Sequence, residues 1–211
     1  HKAGDKVYVD FAGKKQHIID KETGEIKEVE VFVAVLGASQ LTYIEATESQ
    51  QKEDFISGCE NSFHYFGGVP AALVPDNLKS AVTKSDKYEP KLNETFESFS
   101  RHYHTTILPA RVYKPKDKSL VEGAVKIAYT CIYAVLRDME FFSLEELNTA
   151  MREALEVHNN TLMKGRNYSR RVYFEEVERS TLKPLPEYRY ELKKQAIVTV
   201  MKNGYICLTQ D

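Results

Sequence analysis

Residues 29–37 read VEVFVAVLG, a nearly continuous apolar run of β-branched and aromatic side chains. Such a run is too short for a buried helix and carries no helical period, so it predicts a strand covered on both faces and central in its sheet. Working outward, residues 41–46, LTYIEA, supply a second strand after a short connection. Upstream, residues 6–12, KVYVDFA, alternate apolar and polar and predict a third. A polar stretch joins it to the central strand through Lys21-Glu22-Thr23-Gly24, which has the composition of a hairpin turn. The chain therefore opens with three antiparallel strands.

Helical spacing follows. Ser49 is placed to cap a helix reaching about Tyr65, with Phe55, Ile56, Cys59, Phe63 and Phe66 on its inner side and Gly67-Gly68 ending it. Residues 71–75, AALVP, form a short buried strand leading into Asp76, and residues 82–92 are polar and turn-like. A helix over 93–104, a short strand over 105–110 and a long helix from 117 or 118 to 136 come next. Ser143 and Glu146 make a capping box for a helix through Val157, and a short helix is expected over 169–181. Residues 182–190 carry two prolines and read as a linker, and 196–208 as a hairpin around Asn203-Gly204. The order β-β-β-α-β-α-β-α, then helices, implies a mixed sheet with helices on its faces.

The 211 residues suffice for one sizeable core, and no apolar run approaches the length of a membrane span. Cys59, Cys131 and Cys207 form neither a CxxC pair nor a zinc spacing, and His102 and His104 sit in no HExxH context. No GxSxG or comparable triad setting appears. The formal net charge of −2 speaks weakly against a nucleic-acid partner, but its distribution is uneven. Arg111, Lys114, Lys116 and Lys118 face only Asp117 in sequence, and residues 161–171 hold Lys164, Arg166, Arg170 and Arg171 with no acid. These stretches are either solvated surface or a phosphate-gripping side, and the sequence leaves Arg166, Arg170 and Arg171 open between the two.

Three carboxylates stand in informative places. Asp10 interrupts the apolar first strand in YVDFAG, Asp76 follows the short strand in VPDNLKSA, and Glu122 lies in the helical KSLVEGAVK. Each has an ordinary reading: an outward strand position, a helix cap shared with Asn77, and an exposed helix residue. Together they say more. If the first and fourth strands are neighbours, Asp10 and Asp76 approach each other at the strand ends and Glu122 reaches them from the following helix. Three converging carboxylates repel one another unless cations lie between them, and hard oxygen donors suit Mg²⁺ or Mn²⁺. Lys118, Glu122, Lys126 and Tyr129 share one helical stripe, which puts a cation one turn to either side of Glu122.

The segments YVDFAG, VEVFVAVLGASQLTYIEA, HYFGGVPAALVPDNLKSAV, LPARVYKPKDKSLVEGAVK and YSRRVYFEEVE resemble the integrase-type core of IstA-type bacterial insertion-sequence transposases, over nearly the whole chain. The resemblance implies an α/β, ribonuclease H-like fold: a mixed five-stranded sheet flanked by helices, with extra C-terminal helices and a short β segment. It implies a catalytic core over 1–140, a helical extension over 141–181, and a linker opening a truncated β-rich domain over 182–211. It also implies a DDE recombinase in which Asp10, Asp76 and Glu122 hold two Mg²⁺ or Mn²⁺ ions. The expected chemistry is phosphodiester hydrolysis at transposon ends and strand transfer into target DNA, without a covalent enzyme intermediate. The 45 residues between Asp76 and Glu122 exceed the gap of retroviral-type integrases, and SAVTKSDKYEPKLN is placed to absorb the excess as a loop; otherwise Asp117 and Glu94 are the next acids to consider.

Lys118 and Lys126 are the first candidates for holding DNA phosphates, then Lys114, Lys116 and Arg111, with Asn77 and Lys79 positioned to orient DNA. The resemblance further implies DNA, an AAA+ ATPase and further copies of the same protein as partners, in the bacterial cytoplasm at the nucleoid and not at a membrane. Two rival readings remain: a nuclease of the same fold that never joins strands, and a catalytically silent DNA-binding or assembly module.

Overall fold

The computed structural model describes residues 1–75, 94–108 and 132–192, together with residues 123 and 126 and the backbone of 82–84 and 91–92. Strand β3 (Ile26–Leu36) is the longest and organises the sheet. One edge pairs antiparallel with β4 (Thr42–Thr47), and the other with β1 (Lys6–Phe11) and then β2 (Gln16–Ile19). Beyond β1 come β5 (Ala72–Pro75) and β8 (Thr106–Ile107), both parallel to their inner neighbour. The sheet is mixed, as expected, but has six strands rather than five.

The extra strand is β2, which lies in the polar stretch after β1. In β1, Phe11 stands opposite Phe32, and the amide of Ala12 donates to the Val31 carbonyl at 2.8 Å. When pairing resumes, Gln16 stands opposite Val29. Gly13, Lys14 and Lys15 therefore face the single residue Glu30, an insertion that breaks the strand and bends it. Lys15 offsets the crowding by reaching Glu28 and Glu30 at 3.1 and 3.2 Å. A second small hairpin, β6 (Val82–Lys84) with β7 (Lys91–Leu92), lies within the stretch expected to be turn-like.

The sheet has two differently built faces. Val7, Val9, Phe32, Ala34, Leu36, Tyr43 and Leu73 face α1 (Lys52–Phe66) and α2 (Glu94–His102), which bring Phe55, Phe63, Phe66, Phe96 and Phe99. The five inner residues expected for α1 are all buried. Gly58 lets this helix approach: a Cβ there would lie 2.7 Å from the Phe32 ring. The cap of α1 is Gln51 and not Ser49, because the Ser49 hydroxyl accepts from the Gln51 amide and Asp54 takes the Ser49 amide at 2.8 Å. Gly67 ends it in the left-handed region at φ 70°.

The other face presents Tyr8, Ala12, Val31, Val33, Val35, Ile44, Ala46 and Val74. Ile132, Tyr133 and Leu136, around the helical turn α3 (Ala134–Leu136), cover it together with Leu147, Met151 and Leu155 of α4 (Leu144–Asn160). Ser143 caps α4 by accepting from the Glu146 amide at 3.1 Å, while Glu146 reaches past the cap to the Phe142 amide at 2.8 Å. Two asparagines of α4 also close the outer edge of β4. Asn148 exchanges two hydrogen bonds with the Ala46 backbone (2.7 and 3.0 Å) and Asn159 two with that of Thr42 (3.2 and 2.8 Å). Side-chain amides thus satisfy backbone groups that a neighbouring strand would otherwise pair.

Helix α5 (Arg170–Tyr173), capped by Ser169, continues through a π turn (Phe174–Glu178) and a 3₁₀ turn (Arg179–Thr181). Phe174 enters the aromatic core, and the buried Glu178 carboxylate accepts from the amides of Gly4 (3.1 Å) and Ser39 (2.9 Å). One side chain thereby ties the start of the chain, the β3–β4 turn and the last helix together. Residues 182–192, where a linker was expected to begin, lie against the core. Lys183 exchanges backbone bonds with Val69 at 2.8 and 2.9 Å, and Leu182, Leu185, Tyr190 and Leu192 pack on the aromatic cluster. The hairpin expected over 196–208 lies outside the described residues.

Candidate active site

Asp10 is the one predicted carboxylate of the three within the described residues; Asp76 and Glu122 lie outside them. So do Arg111, Lys114, Lys116, Lys118, Asn77 and Lys79 among the expected DNA contacts, whereas Lys126 is helical and exposed. Asp10 is the penultimate residue of β1 and half-buried. The strand's period of two places it with Tyr8 and Ala12 on the aliphatic face rather than with Val7 and Val9 on the aromatic one. Its Oδ1 accepts from the Phe11 amide at 2.8 Å, which fixes the carboxylate against its own strand. Carboxylate oxygens such as these are hard donors.

The surroundings of Asp10 follow from the sheet. β1 and β5 run parallel with Val9 opposite Pro75, so both strands end at the same edge of the sheet. The carboxyl ends of parallel strands are where α/β sheets bind their ligands, because connecting loops diverge there. The helical segment ending in α3 covers the same face, and Tyr133 donates to the Lys14 carbonyl at 3.0 Å, four residues beyond Asp10. Gly123 and Lys126 are helical as well. Among the described residues no group of three or more His, Cys, Asp or Glu is placed to hold a metal ion.

Among the described residues the strongly perturbed titratable groups lie away from Asp10 and serve the fold. Burial pushes the Cys59 thiol well up, which leaves it inert as a nucleophile. Burial, reinforced by Glu45, Glu156 and Glu60 respectively, also raises the hydroxyls of Tyr43, Tyr65 and Tyr103. Tyr65 donates to Glu156 at 2.6 Å and accepts from Arg171 at 2.6 Å and Asn159 at 2.9 Å. Arg171 is thus engaged within the fold. Sequence reasoning missed these clamps along with Glu178. The legible hint was Asn148 and Asn159 on the same stripe of α4 as Met151 and Leu155.

Solved structures share this fold. The catalytic core domain of BIV integrase superposes with a TM-score of 0.58 at 15% identity, covering 82% of this chain and 95% of that one. The HTLV-2 integrase catalytic core domain, solved in complex with magnesium, gives 0.55 at 17%, covering 81% and 96%. The fold is that of an integrase catalytic core. No family model matches this integrase-like chain. By sequence it is 50% identical over 191 residues to a protein of Sinorhizobium fredii described as a transposase, covering 90% of this chain and 37% of that protein. It is also 26% identical over 144 residues to the transposase for insertion sequence element IS21 of Pseudomonas aeruginosa, covering 64% and 37%. The chain spans 37% of the length of either relative. No helix among the described residues is long and apolar enough to cross a membrane.

Proposed function

We propose that this integrase-like core is the catalytic part of an IstA-type DNA transposase that cuts phosphodiester bonds at transposon ends and joins those ends to target DNA. The observation that carries the reading is the placement of Asp10 at the carboxyl end of β1, beside the end of β5. In sequence Asp76 directly follows Pro75, the partner of Val9. In sequence Glu122 directly precedes Gly123, which is helical. The similarity to transposases along 90% of the chain supports the same reading.

In this proposal Asp10, Asp76 and Glu122 hold two Mg²⁺ or Mn²⁺ ions, and the half-buried, strand-anchored Asp10 fits such a role. The bound cations supply Lewis acidity at the phosphoryl oxygens and a nucleophile usable at neutral pH. The chain's own residues orient and neutralise. Lys118 and Lys126 hold phosphates beside the scissile bond, with Lys114, Lys116 and Arg111 on the approach and Asn77 and Lys79 orienting the DNA. No side chain forms a covalent intermediate. The working protein acts in the bacterial cytoplasm on nucleoid DNA, as an oligomer and with an AAA+ ATPase partner.

A strand-transfer assay with the full-length protein, a precut transposon end and Mg²⁺ tests this. Asp10→Asn, Asp76→Asn and Glu122→Gln are each expected to lower joining by at least ~100-fold. Even outer-shell partners of metal ligands cost 10–100-fold. Unchanged joining in Asp10→Asn would sink the assignment, and hydrolysis without joining would reduce the protein to a nuclease.

A further inference from the structure

The acid-free stretch 157–174 carries Lys164, Arg166, Arg170 and Arg171, and the structure divides their duties. Arg171 turns inward, with its guanidinium 2.8 Å from Glu156 and over the Tyr65 ring. Lys164 and Arg166 stand on an exposed turn instead. Several other surface cations of the fold sit within 4 Å of a carboxylate: Lys15 at Glu28, Lys21 at Glu146, Lys27 at Glu48, Arg179 at Glu175. No carboxylate stands so close to Lys164 or Arg166 among the described residues.

The turn bearing them is built rather than loose. Leu162 and Ser169 form an antiparallel bridge, the Met163 amide donates to the Tyr168 carbonyl at 3.1 Å, and the Arg166 amide to the Met163 carbonyl at 2.9 Å. Gly165 takes the left-handed conformation at φ 74° with open space around it. The Arg166 guanidinium lies 5.9 Å from the centroid of Tyr168, whose ring stacks on Tyr173 at 5.1 Å. A ring beneath a guanidinium limits its wandering while leaving its N–H donors directed outward. Two unneutralised cations on a pre-ordered turn, in a chain of net charge −2, have the character of a contact for a polyanion.

We infer that the turn 163–168 is a second DNA contact, separate from the carboxylate site, in which Lys164 and Arg166 grip the phosphate backbone of duplex DNA without reading its sequence. It lies just past α4, whose Asn159 holds β4, two strand spacings or roughly 10 Å across the sheet from β1. DNA held there extends beyond the bonds being cut. This inference rests on the transposase reading for its partner, but its readout does not involve chemistry.

The test is duplex binding by fluorescence anisotropy, using the full-length protein, a duplex without transposon sequence, and EDTA over a series of salt concentrations. The Lys164→Gln/Arg166→Gln variant is expected to unfold at the native temperature and to show a salt dependence shallower by about 2 in slope, close to one for each phosphate that the protein no longer neutralises. Lys21→Gln/Lys27→Gln removes the same charge from ion-paired positions and is expected to keep the native slope. An unchanged slope in the first variant overturns the inference, as does an equal fall in the second, which would make the effect one of net charge. Unchanged DNA binding together with weakened self-association in sedimentation would overturn it in favour of a protein contact. Because EDTA removes catalysis, loss of joining in the acid variants bears on the active site and leaves this measurement untouched.

Discussion

The two faces of the sheet are sealed by different means. On the face away from Asp10, Phe32 meets Phe11 and Phe55 edge-on at 5.7 and 5.8 Å, Phe55 continues to Phe96, and Phe63 meets Phe99 and Tyr103. Tyr190 of the segment beyond the last helix joins the same network against Phe99. On the face shared by Asp10, Val31, Val33, Val35, Ile44 and Val74 meet aliphatic side chains of α4 and the helical segment before it. Large interlocking rings make a stiff slab that tolerates little change in volume. Short branched side chains make a thinner layer that ends where β1 and β5 end. The only acid of the predicted triad inside the described residues stands at that boundary, half-buried, where a polar group can stay in contact with solvent or a ligand.

The largest effect that would sharpen this contrast comes from two adjacent residues pointing to opposite faces. Phe32→Ala removes a fully buried ring with Gly58 directly beneath it and is expected to cost about 3–5 kcal/mol. Val33→Ala removes two methyl groups from the other face and is expected to cost about 2 kcal/mol. Urea denaturation of both variants gives the two values. Equal losses would mean that the faces share the stability evenly and that the slab picture is wrong.

How much of this was legible in the sequence depended on how local each signal was. The run at 29–37 and the alternation at 6–12 are set by neighbouring residues, and both form strands in their expected places. The five inner residues of α1 were equally readable from their spacing. The two-residue insertion opposite Glu30 was not, because polar residues at a bulge look like any loop, so β2 and the small hairpin β6–β7 were missed. Glu178 reaches residues 139 and 174 positions away, and no local pattern encodes such a contact. Asp10 stood out because a carboxylate inside an apolar strand needs a reason. Its two expected companions rest on chain connectivity and on resemblance.

A smaller effect, of opposite origin, belongs to His158 near the end of α4. A helix C-terminus favours a protonated imidazole by about 0.3–1 kcal/mol, up to ~2 in partly buried settings. Here burial wins, and with the nearby Arg170 charge it pulls the His158 pKa down to about 4. The residue is 7% exposed, and its Nε2 has no hydrogen-bond partner among the described residues. The folded pKa lies below the unfolded one of 6.5, so between pH 6.5 and 4 the unfolded chain binds more protons. Stability is therefore expected to fall as the pH drops through that window, by roughly 3 kcal/mol at most, and to be insensitive to this group above pH 7. Comparing the pH dependence of unfolding in native protein and His158→Gln checks it; the same acid slope in both would assign the loss to other groups.

The smallest effect concerns the edge that the aliphatic face leaves open. Among the described residues β4 has a strand on one side only, and Asn148 and Asn159 satisfy its backbone on the other at Ala46 and Thr42. Asn148→Ala leaves one N–H and one C=O of Ala46 without these partners. The site is partly buried, so water can recover some of the loss, and a cost of about 1–2 kcal/mol is expected. Asn148→Asp keeps an acceptor for the Ala46 amide but presents no donor to the Ala46 carbonyl. It should therefore fall below native stability even though the shape is conserved. Hydrogen exchange at the Ala46 amide separates a local opening from a global one. If α4 only covers the edge sterically, exchange there will track the change in global stability. If the asparagine amide is what closes the edge, Ala46 will exchange faster than global unfolding accounts for, while amides of β3 one strand inward keep their protection.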